Sequence, residues 1–376
     1  MNIKKKERID WLLGRSSLFW FSREMDHPLL PPDFVQINFT FQCNLRCKMC
    51  DMQKQMEINK RENKQIEIDT ALCRKIIEDT KELGTNSIIF LGGEPFVRGD
   101  LFELVEYAKS FNLETILVTN GVLLNDKNIK NCFESGVNWL SISMDAASEQ
   151  VFSQIRGQNV FKTIVDNVRN LNRLKKQENR EFPKVVVVCT VMNDNLEELV
   201  QVVDLCKSLE VDKVLFQPVV ACNVDQTQRK REFPGSVPKE RLKVLDEAIL
   251  ELIRYKQRTP SNYSFLANSI KRLELMKEYF RGSIDHRDLP CYAGYNRLQI
   301  IQEGKVYFCV NRDQNEAVFG DIKNESLKKL WYSKRADQYR KMIRQCPTPC
   351  LQLCSQREEF IELVEFSEKK DLFGEI

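Results

Sequence analysis

The chain has 376 residues, with 57 Lys and Arg against 54 Asp and Glu for a formal charge of +3. A balance this close to neutral gives no warrant for a nucleic-acid footprint, which would need a clustered basic face, and no uncharged run of about 18 apolar residues reads as a membrane span. The length suits one large domain and a smaller one. Thirteen cysteines follow a basic start, Met1 to Arg8, whose apolar continuation is broken by Arg8, Asp10 and Arg15 and has no secretory cleavage pattern. They point to metal ligands and reduced thiols rather than a disulfide framework, and so to the cytoplasm.

Residues 9 to 22 have the pattern of a short amphipathic helix, expected to pack on the core. Residues 35 to 41 read as a strand, and Phe41-Gln42-Cys43-Asn44-Leu45-Arg46-Cys47-Lys48-Met49-Cys50 follows directly, three cysteines in C-x3-C-x2-C spacing on one loop. A structural zinc site would want a fourth local ligand, but the nearest cysteine is Cys73, and neither His27 nor His286 stands at ligand spacing. Three thiolates leave one position open, as in an iron-sulfur cubane that keeps one iron free for a non-protein ligand. Buried structural cysteines are the plainer alternative.

Five more strand-like runs follow, at residues 87 to 91, 115 to 119, 139 to 144, 184 to 191 and 213 to 216. They alternate with helical patterns near 70 to 83, 101 to 111, 125 to 135, 160 to 176 and 196 to 209, the mark of a parallel sheet covered by helices. Right-handed crossovers curl such a sheet. Six units are fewer than the eight that close a barrel, so the fold predicted is α/β, an open (β/α)6 partial TIM-like barrel with its functional residues at the strand carboxyl ends.

Residues 222 to 240 read as a polar connection, and 238 to 280 as bridging helices with Leu242, Leu245, Ile249 and Leu252 on one face. From Cys291 the pattern changes to a β-hairpin, 298 to 301 with 306 to 309, turning at Gly304. A helix from about Leu327 to Met342 leads to Cys346, Cys350 and Cys354. The expected divisions are an amino-terminal extension (1–34), the barrel (35–221), a linker with bridging helices (222–290), a small α+β iron-sulfur domain (291–355) and a charged tail (356–376). Cys73, Cys132, Cys189, Cys206 and Cys222 have no ligand spacing and are expected to be buried apolar residues.

Gly92-Gly93-Glu94-Pro95 ends the second strand-like run, where glycines let backbone approach a ligand and a carboxylate can accept from an ammonium group. A plain strand-to-helix turn is the alternative. Asn120-Gly121 after the third run is a turn signal. Ser143 and Asp145 end the fourth, and Arg156-Gly157 follows.

With the triple-cysteine loop upstream, this arrangement resembles the radical S-adenosylmethionine (SAM) superfamily. The resemblance implies that Cys43, Cys47 and Cys50 hold a 4Fe-4S cluster whose open iron chelates SAM. It also implies that Gly92, Gly93, Glu94 and Pro95 bind the SAM amino group, with Asn120 in support, and that Ser143 and Arg156 hold the carboxylate. Two departures stand out. Phe152-Ser153 replaces the His-Asp pair frequent before that arginine, and Met49 replaces the aromatic frequent before the third cysteine. The carboxyl-terminal segment is similar to the SPASM and shorter twitch domains. Cys291, twelve residues, Gly304, four residues and Cys309 fit their opening pattern, and Gly320-Asp321-Ile322 with Leu330-Trp331 fit further on. Four of Cys291, Cys309, Cys346, Cys350 and Cys354 would ligate one auxiliary 4Fe-4S cluster, with the spare among the last three. Zinc on four of these thiolates is the alternative.

The function so implied is reductive cleavage of SAM to a 5'-deoxyadenosyl radical that takes a hydrogen atom from the substrate, for oxidation or cross-linking in peptide or protein modification. The electron donor would be of flavodoxin or ferredoxin type. A dehydrogenase or epimerase acting on a carbohydrate or antibiotic precursor is the second reading. The 34 residues before the first strand are too few for an appended peptide-recognition domain, so a leader-peptide substrate would need a separate carrier. A non-catalytic iron-sulfur electron carrier or zinc scaffold belongs to another class, and an amino-group site beside an open iron speaks against it.

Overall fold

The computed structural model describes residues 3–64, 66–220, 236–284, 290–309, 318–346 and 350–352. Six parallel strands form the barrel wall: β1 (Phe34–Asn38), β2 (Ser87–Leu91), β3 (Glu114–Thr119), β4 (Trp139–Ser143), β5 (Lys184–Val191) and β6 (Lys213–Pro218). Their alternation does the sorting. In β5 every second residue from Val185 to Val191 is fully buried and joins the apolar layer that Val202, Val203 and Cys206 supply. Apolar burial of this kind is the main term favouring the fold.

Several of the helices begin at a side-chain cap. α1 (Ile3–Glu24) and α2 (Met52–Arg61) precede α3 (Thr70–Glu82), which Asp69 caps through Leu72 N. After α4 (Leu101–Ser110), α5 (Asp126–Ser135) is capped by Asn125 and α6 (Glu149–Arg156) by Ser148; such caps each contribute about 1 kcal/mol. α7 (Phe161–Gln177) and α8 (Leu199–Ser208) complete the crossovers. α9 (Leu242–Gln257), α10 (Pro260–Phe265) and α11 (Ile270–Arg281) follow, with Leu245, Ile249 and Leu252 buried as expected. Residues 221–235, including Cys222, lie outside the described residues.

The sheet does not stop where the barrel pattern ends. β7 (Arg297–Ile300) pairs parallel with β1, with Gln36 opposite Gln299, and β8 (Lys305–Tyr307) and β9 (Val318–Asp321) continue antiparallel. Among the described residues the order is β6-β5-β4-β3-β2-β1-β7-β8-β9 in one sheet. The hairpin predicted after Cys291 is present, and its first strand also extends the barrel wall across the expected domain boundary. At the other edge, Leu266 bridges Val214, and the Asn268 side chain accepts from Phe216 N at 2.7 Å and donates to Phe216 O at 2.8 Å.

The helix predicted from 327 to 342 is two helices, α12 (Leu327–Trp331) and α13 (Lys334–Arg344), because Ser326 and Ser333 each cap a separate start. Arg340 of α13 is fully buried, donates to Gly294 O and Trp331 O, and lies over the Trp331 ring. α1 is longer than predicted and packs narrowly. Phe19 and Ser22 are buried, while Leu18, Trp20, Phe21 and Met25 are exposed. No helix among the described residues is long and apolar enough to cross a membrane.

Candidate functional site

The triple-cysteine loop leaves the carboxyl end of β1 and is clasped from several sides. Gly93 N donates to Thr40 O at 2.7 Å and Glu94 N to Gln42 O at 2.8 Å. The approach is so close that a Cβ at Gly93 would lie 1.9 Å from Gln42 O, and one at Gly92 (φ +150°) 2.4 Å from Thr40 O. The two glycines are therefore required by backbone contact. From α6, Lys48 N donates to Ile155 O at 3.0 Å, and Gly157 (φ +73°) admits Arg46 O where a Cβ would stand 2.5 Å away. Gln53 of α2 holds Cys43 O and Leu45 O, Gln158 holds Asn44 O, and Asn120 Nδ2 donates to Asn44 Oδ1 at 2.7 Å.

Cys43 and Cys47 are half-buried and Cys50 is exposed. Burial, then the charges of Glu94 and Cys47, raises the Cys43 thiol; crowding of the Cys50 sulfur, then Cys47, Asp51 and Cys43, pushes that thiol up to about 11 although the residue as a whole is exposed. Against this, Leu45 N donates to Cys43 Sγ at 3.5 Å and Arg156 Nη1 to Cys47 Sγ at 3.6 Å. Donors aimed at two sulfurs favour thiolates, the form that binds metal, so the set fits a three-cysteine iron-sulfur cluster. Among the described residues no three His, Cys, Asp or Glu side chains converge tightly enough to grip a single ion; a cubane spaces its sulfurs more widely than one ion does.

Glu94 is fully buried beside this loop. Its Oε1 accepts from Thr119 Oγ1 at 2.8 Å and Phe96 N at 3.2 Å, and its Oε2 from Asn120 N at 2.8 Å. Burial pushes its carboxyl up to about 7, with those three donors and Arg156 holding it lower than burial alone would. A carboxylate has about four acceptor positions, and three are used, which leaves capacity for an ammonium group.

Ser143 ends β4 partly exposed, its backbone opposite Val188. Two residues on, Asp145 is fully buried; its Oδ1 accepts from Thr190 N at 2.8 Å and its Oδ2 stands 2.6 Å from Arg156 Nη2. Burial would lower the Arg156 guanidinium, but Asp145 and Cys47 outweigh it and raise it. Arg156 Nε is buried without a hydrogen-bond partner. The loop, Glu94, Asn120, Ser143 and Arg156 thus all lie at the strand carboxyl ends. The sequence reading noted Asp145 but gave it no role; its position one alternation beyond Ser143 was the available signal. Thr119, Gln53 and Gln158 carried none.

At the far end of the sheet, burial and the proximity of Cys350, Cys309 and Cys346 raise the Cys291 thiol well above its usual range. Ala293 N donates to Cys291 Sγ at 3.5 Å, and Arg23 of α1 holds Cys291 O. Cys309, Cys346 and Cys350 are thus near enough for their charges to act on Cys291, and Cys354 lies outside the described residues. Cys73, Cys132, Cys189 and Cys206 are fully buried in the barrel core.

An open parallel barrel with a three-cysteine loop, a buried carboxylate beside it and a second group of cysteines in the carboxyl-terminal segment has the features of a cofactor-binding iron-sulfur protein. Residues 37–206 match the radical SAM superfamily and residues 291–355 the SPASM iron-sulfur cluster-binding domain, so the chain carries a radical SAM domain and a SPASM domain. Members of that superfamily are enzymes that use a 4Fe-4S cluster with SAM, and SPASM domains bring auxiliary iron-sulfur clusters.

The AdoMet-dependent heme synthase of Oleidesulfovibrio alaskensis is 34% identical over 170 residues, 45% of this chain and 41% of that one. The chain thus spans about two fifths of that relative's length. Among solved structures, Streptococcus suis SuiB bound to the precursor peptide SuiA is similar with a TM-score of 0.62 at 16% identity, covering 88% of this chain and 71% of that one. anSMEcpe with bound AdoMet and the Cp18Cys peptide gives 0.61 at 16%, covering 91% and 97%. These two likenesses are of fold.

Proposed function

We propose that the chain is a radical SAM enzyme that oxidises or cross-links a peptide or protein, with residues 35–221 as the SAM module and 291–355 as the auxiliary-cluster module. The observation that carries the SAM reading is Glu94, a buried carboxylate with spare acceptor capacity whose own backbone N–H is bonded to the cysteine loop. Cys43, Cys47 and Cys50 would hold the cluster; Glu94 would take the SAM ammonium group, with Gly92, Gly93 and Pro95 shaping the turn and Asn120 bracing the loop. Ser143 and the unpaired Nε–H of Arg156 would take the carboxylate, a hydroxyl and a charged N–H both being donors to an anionic oxygen.

When bound, the cluster and SAM supply one-electron reductive cleavage to methionine and a 5'-deoxyadenosyl radical, and the protein's part is positioning and exclusion of water. Cys291, Cys309, Cys346 and Cys350, or Cys354 in place of one, would hold a 4Fe-4S cluster able to take an electron from the substrate. The donor would be a flavodoxin or ferredoxin.

The peptide reading is supported by the peptides named in the SuiB and anSMEcpe complexes. A small-molecule substrate is the second reading, favoured by the 34% match to a heme synthase; a carbohydrate or antibiotic precursor belongs to the same class. Anaerobically reconstituted protein given dithionite and SAM should release 5'-deoxyadenosine, and intact SAM beside a demonstrably reduced cluster would overturn the assignment. Incubation with candidate peptides, read by mass spectrometry for a loss of two hydrogens, separates the two substrate classes.

A further inference from the structure

We propose that the Asp145–Arg156 pair sets the reduction potential of the cluster held by Cys43, Cys47 and Cys50, acting through the guanidinium's contact with the Cys47 sulfur. The proposal rests on those cysteines holding a cluster, as argued above, and it concerns electron affinity rather than SAM binding. The guanidinium uses two different groups for two different partners, Nη1 for Cys47 Sγ at 3.6 Å and Nη2 for Asp145 Oδ2 at 2.6 Å.

Neither partner is free to drift. Asp145 is pinned by Thr190 N on its Oδ1 and by Asn195 Nδ2, which donates to its backbone oxygen at 2.6 Å. Arg156 ends α6, and α6 is tied to the cysteine loop through Lys48 N to Ile155 O and through the packing of Gly157 on Arg46 O. Both charged side chains are buried, so water screens them little.

Reduction adds one electron, hence one negative charge, to the cluster. A cation and an N–H donor at a ligand sulfur stabilise the reduced form more than the oxidised one, and hydrogen bonds to the sulfurs are among the determinants of cluster potential. The pair is neutral in sum, but its positive end touches the sulfur and its negative end points away toward β5. Its effect is therefore directional, a fixed dipole that raises the potential and makes the electron easier to accept.

The test is an anaerobic potentiometric titration followed by electron paramagnetic resonance, on the full-length, cluster-loaded protein without SAM. The relevant signal is the one missing from the Cys43→Ala/Cys47→Ala/Cys50→Ala variant. Arg156→Gln, which also leaves Asp145 without its cation, should shift the one-electron equilibrium about tenfold toward the oxidised form, or ~59 mV. Arg156→Lys should shift it less. The double variant Asp145→Asn/Arg156→Gln, which leaves no uncompensated buried charge, should fall between wild type and Arg156→Gln, and it carries the test if the single variant folds poorly.

A shift under twofold in both variants overturns the proposal, and doing so together with weakened SAM binding would confine Arg156 to the cofactor. Loss of that signal from both would make the pair a scaffold for the loop and equally overturn it. Absence of the signal from the wild type would instead sink the cluster assignment itself.

Discussion

The two cysteine sites are built in opposite ways. Cys43, Cys47 and Cys50 sit on one loop whose backbone is fixed by neighbouring turns, whereas Cys291, Cys309, Cys346 and Cys350 come from separate segments, neighboured through the β7–β8 pairing and the packing of α13 on Gly294. The first site is a local motif supported by the fold. The second is a product of the fold. A lesion near one should therefore leave the other largely intact, and the ways to break that independence form a graded series.

The largest effect is expected from Cys43→Ala/Cys47→Ala/Cys50→Ala. Formation of 5'-deoxyadenosine should vanish while the iron of one auxiliary cluster remains on analysis; loss of all iron would show the sites to be coupled. Next comes Gly93→Ala. With a Cβ 1.9 Å from Gln42 O, the loop must shift, and iron bound by the first site should drop several-fold with the auxiliary content unchanged. If Gly93→Ala loads like wild type, the backbone clasp is not what shapes the loop.

Glu94→Ala should weaken SAM binding roughly tenfold to a hundredfold, since a hydrogen bond to a charged group is worth about 1.5 to 3 kcal/mol. Equilibrium binding to the cluster-loaded protein checks this, and equal affinity removes Glu94 from the ammonium site. The same residue predicts two opposed pH trends. Its folded pKa, about 7, stands above the ordinary 4.5, so the folded chain holds that proton more tightly than the unfolded one. The stabilisation is complete below about pH 4.5 and is lost as pH rises through about 7, amounting to about 3 kcal/mol at 1.36 kcal/mol per unit. SAM affinity should rise over the same window, because the ammonium group needs the carboxylate ionised. Denaturant melts of the apoprotein from pH 5 to 8, with and without Glu94→Ala, isolate the first trend.

The smallest effect is one of reactivity. Burial pushes the Cys73 and Cys206 thiols up to about 12 and raises Cys132 and Cys189 as well. A thiol reagent should reach the exposed Cys50 of the native apoprotein, though slowly well below pH 11, and leave these four buried thiols untouched. Their labelling at comparable rates would mean that the barrel core opens.

Much of this was legible in the sequence because the barrel repeats a local rule. Each crossover carries its own apolar run and helix, and the cysteine loop with Gly92 to Pro95 falls just past two strand ends. α2 left little signal because only Met52, Met56 and Ile58 of Met52 to Arg61 are apolar, and it contributes Gln53 and the Met52 backbone N–H to the loop. The β1–β7 pairing was hidden for another reason: it joins residues about 260 positions apart in parallel register, which no local pattern encodes. The same holds for Arg156, whose partners Cys47 and Asp145 lie on different turns. Its residue type was readable but its double contact was not.

The sealed edges of the barrel have a consequence for how a peptide could be captured. Extended peptides are often bound by strand addition, in which main-chain hydrogen bonds at a bare sheet edge supply affinity without regard to sequence. Here β1 is taken by β7, and Asn268 occupies both main-chain groups of Phe216 on β6. Among the described residues the barrel strands offer an incoming backbone no such ladder near the cysteine loop. A peptide reaching that loop would have to be held there by its side chains, so the residue presented to Glu94's end of the barrel would be chosen by its chemistry rather than by its place in a register.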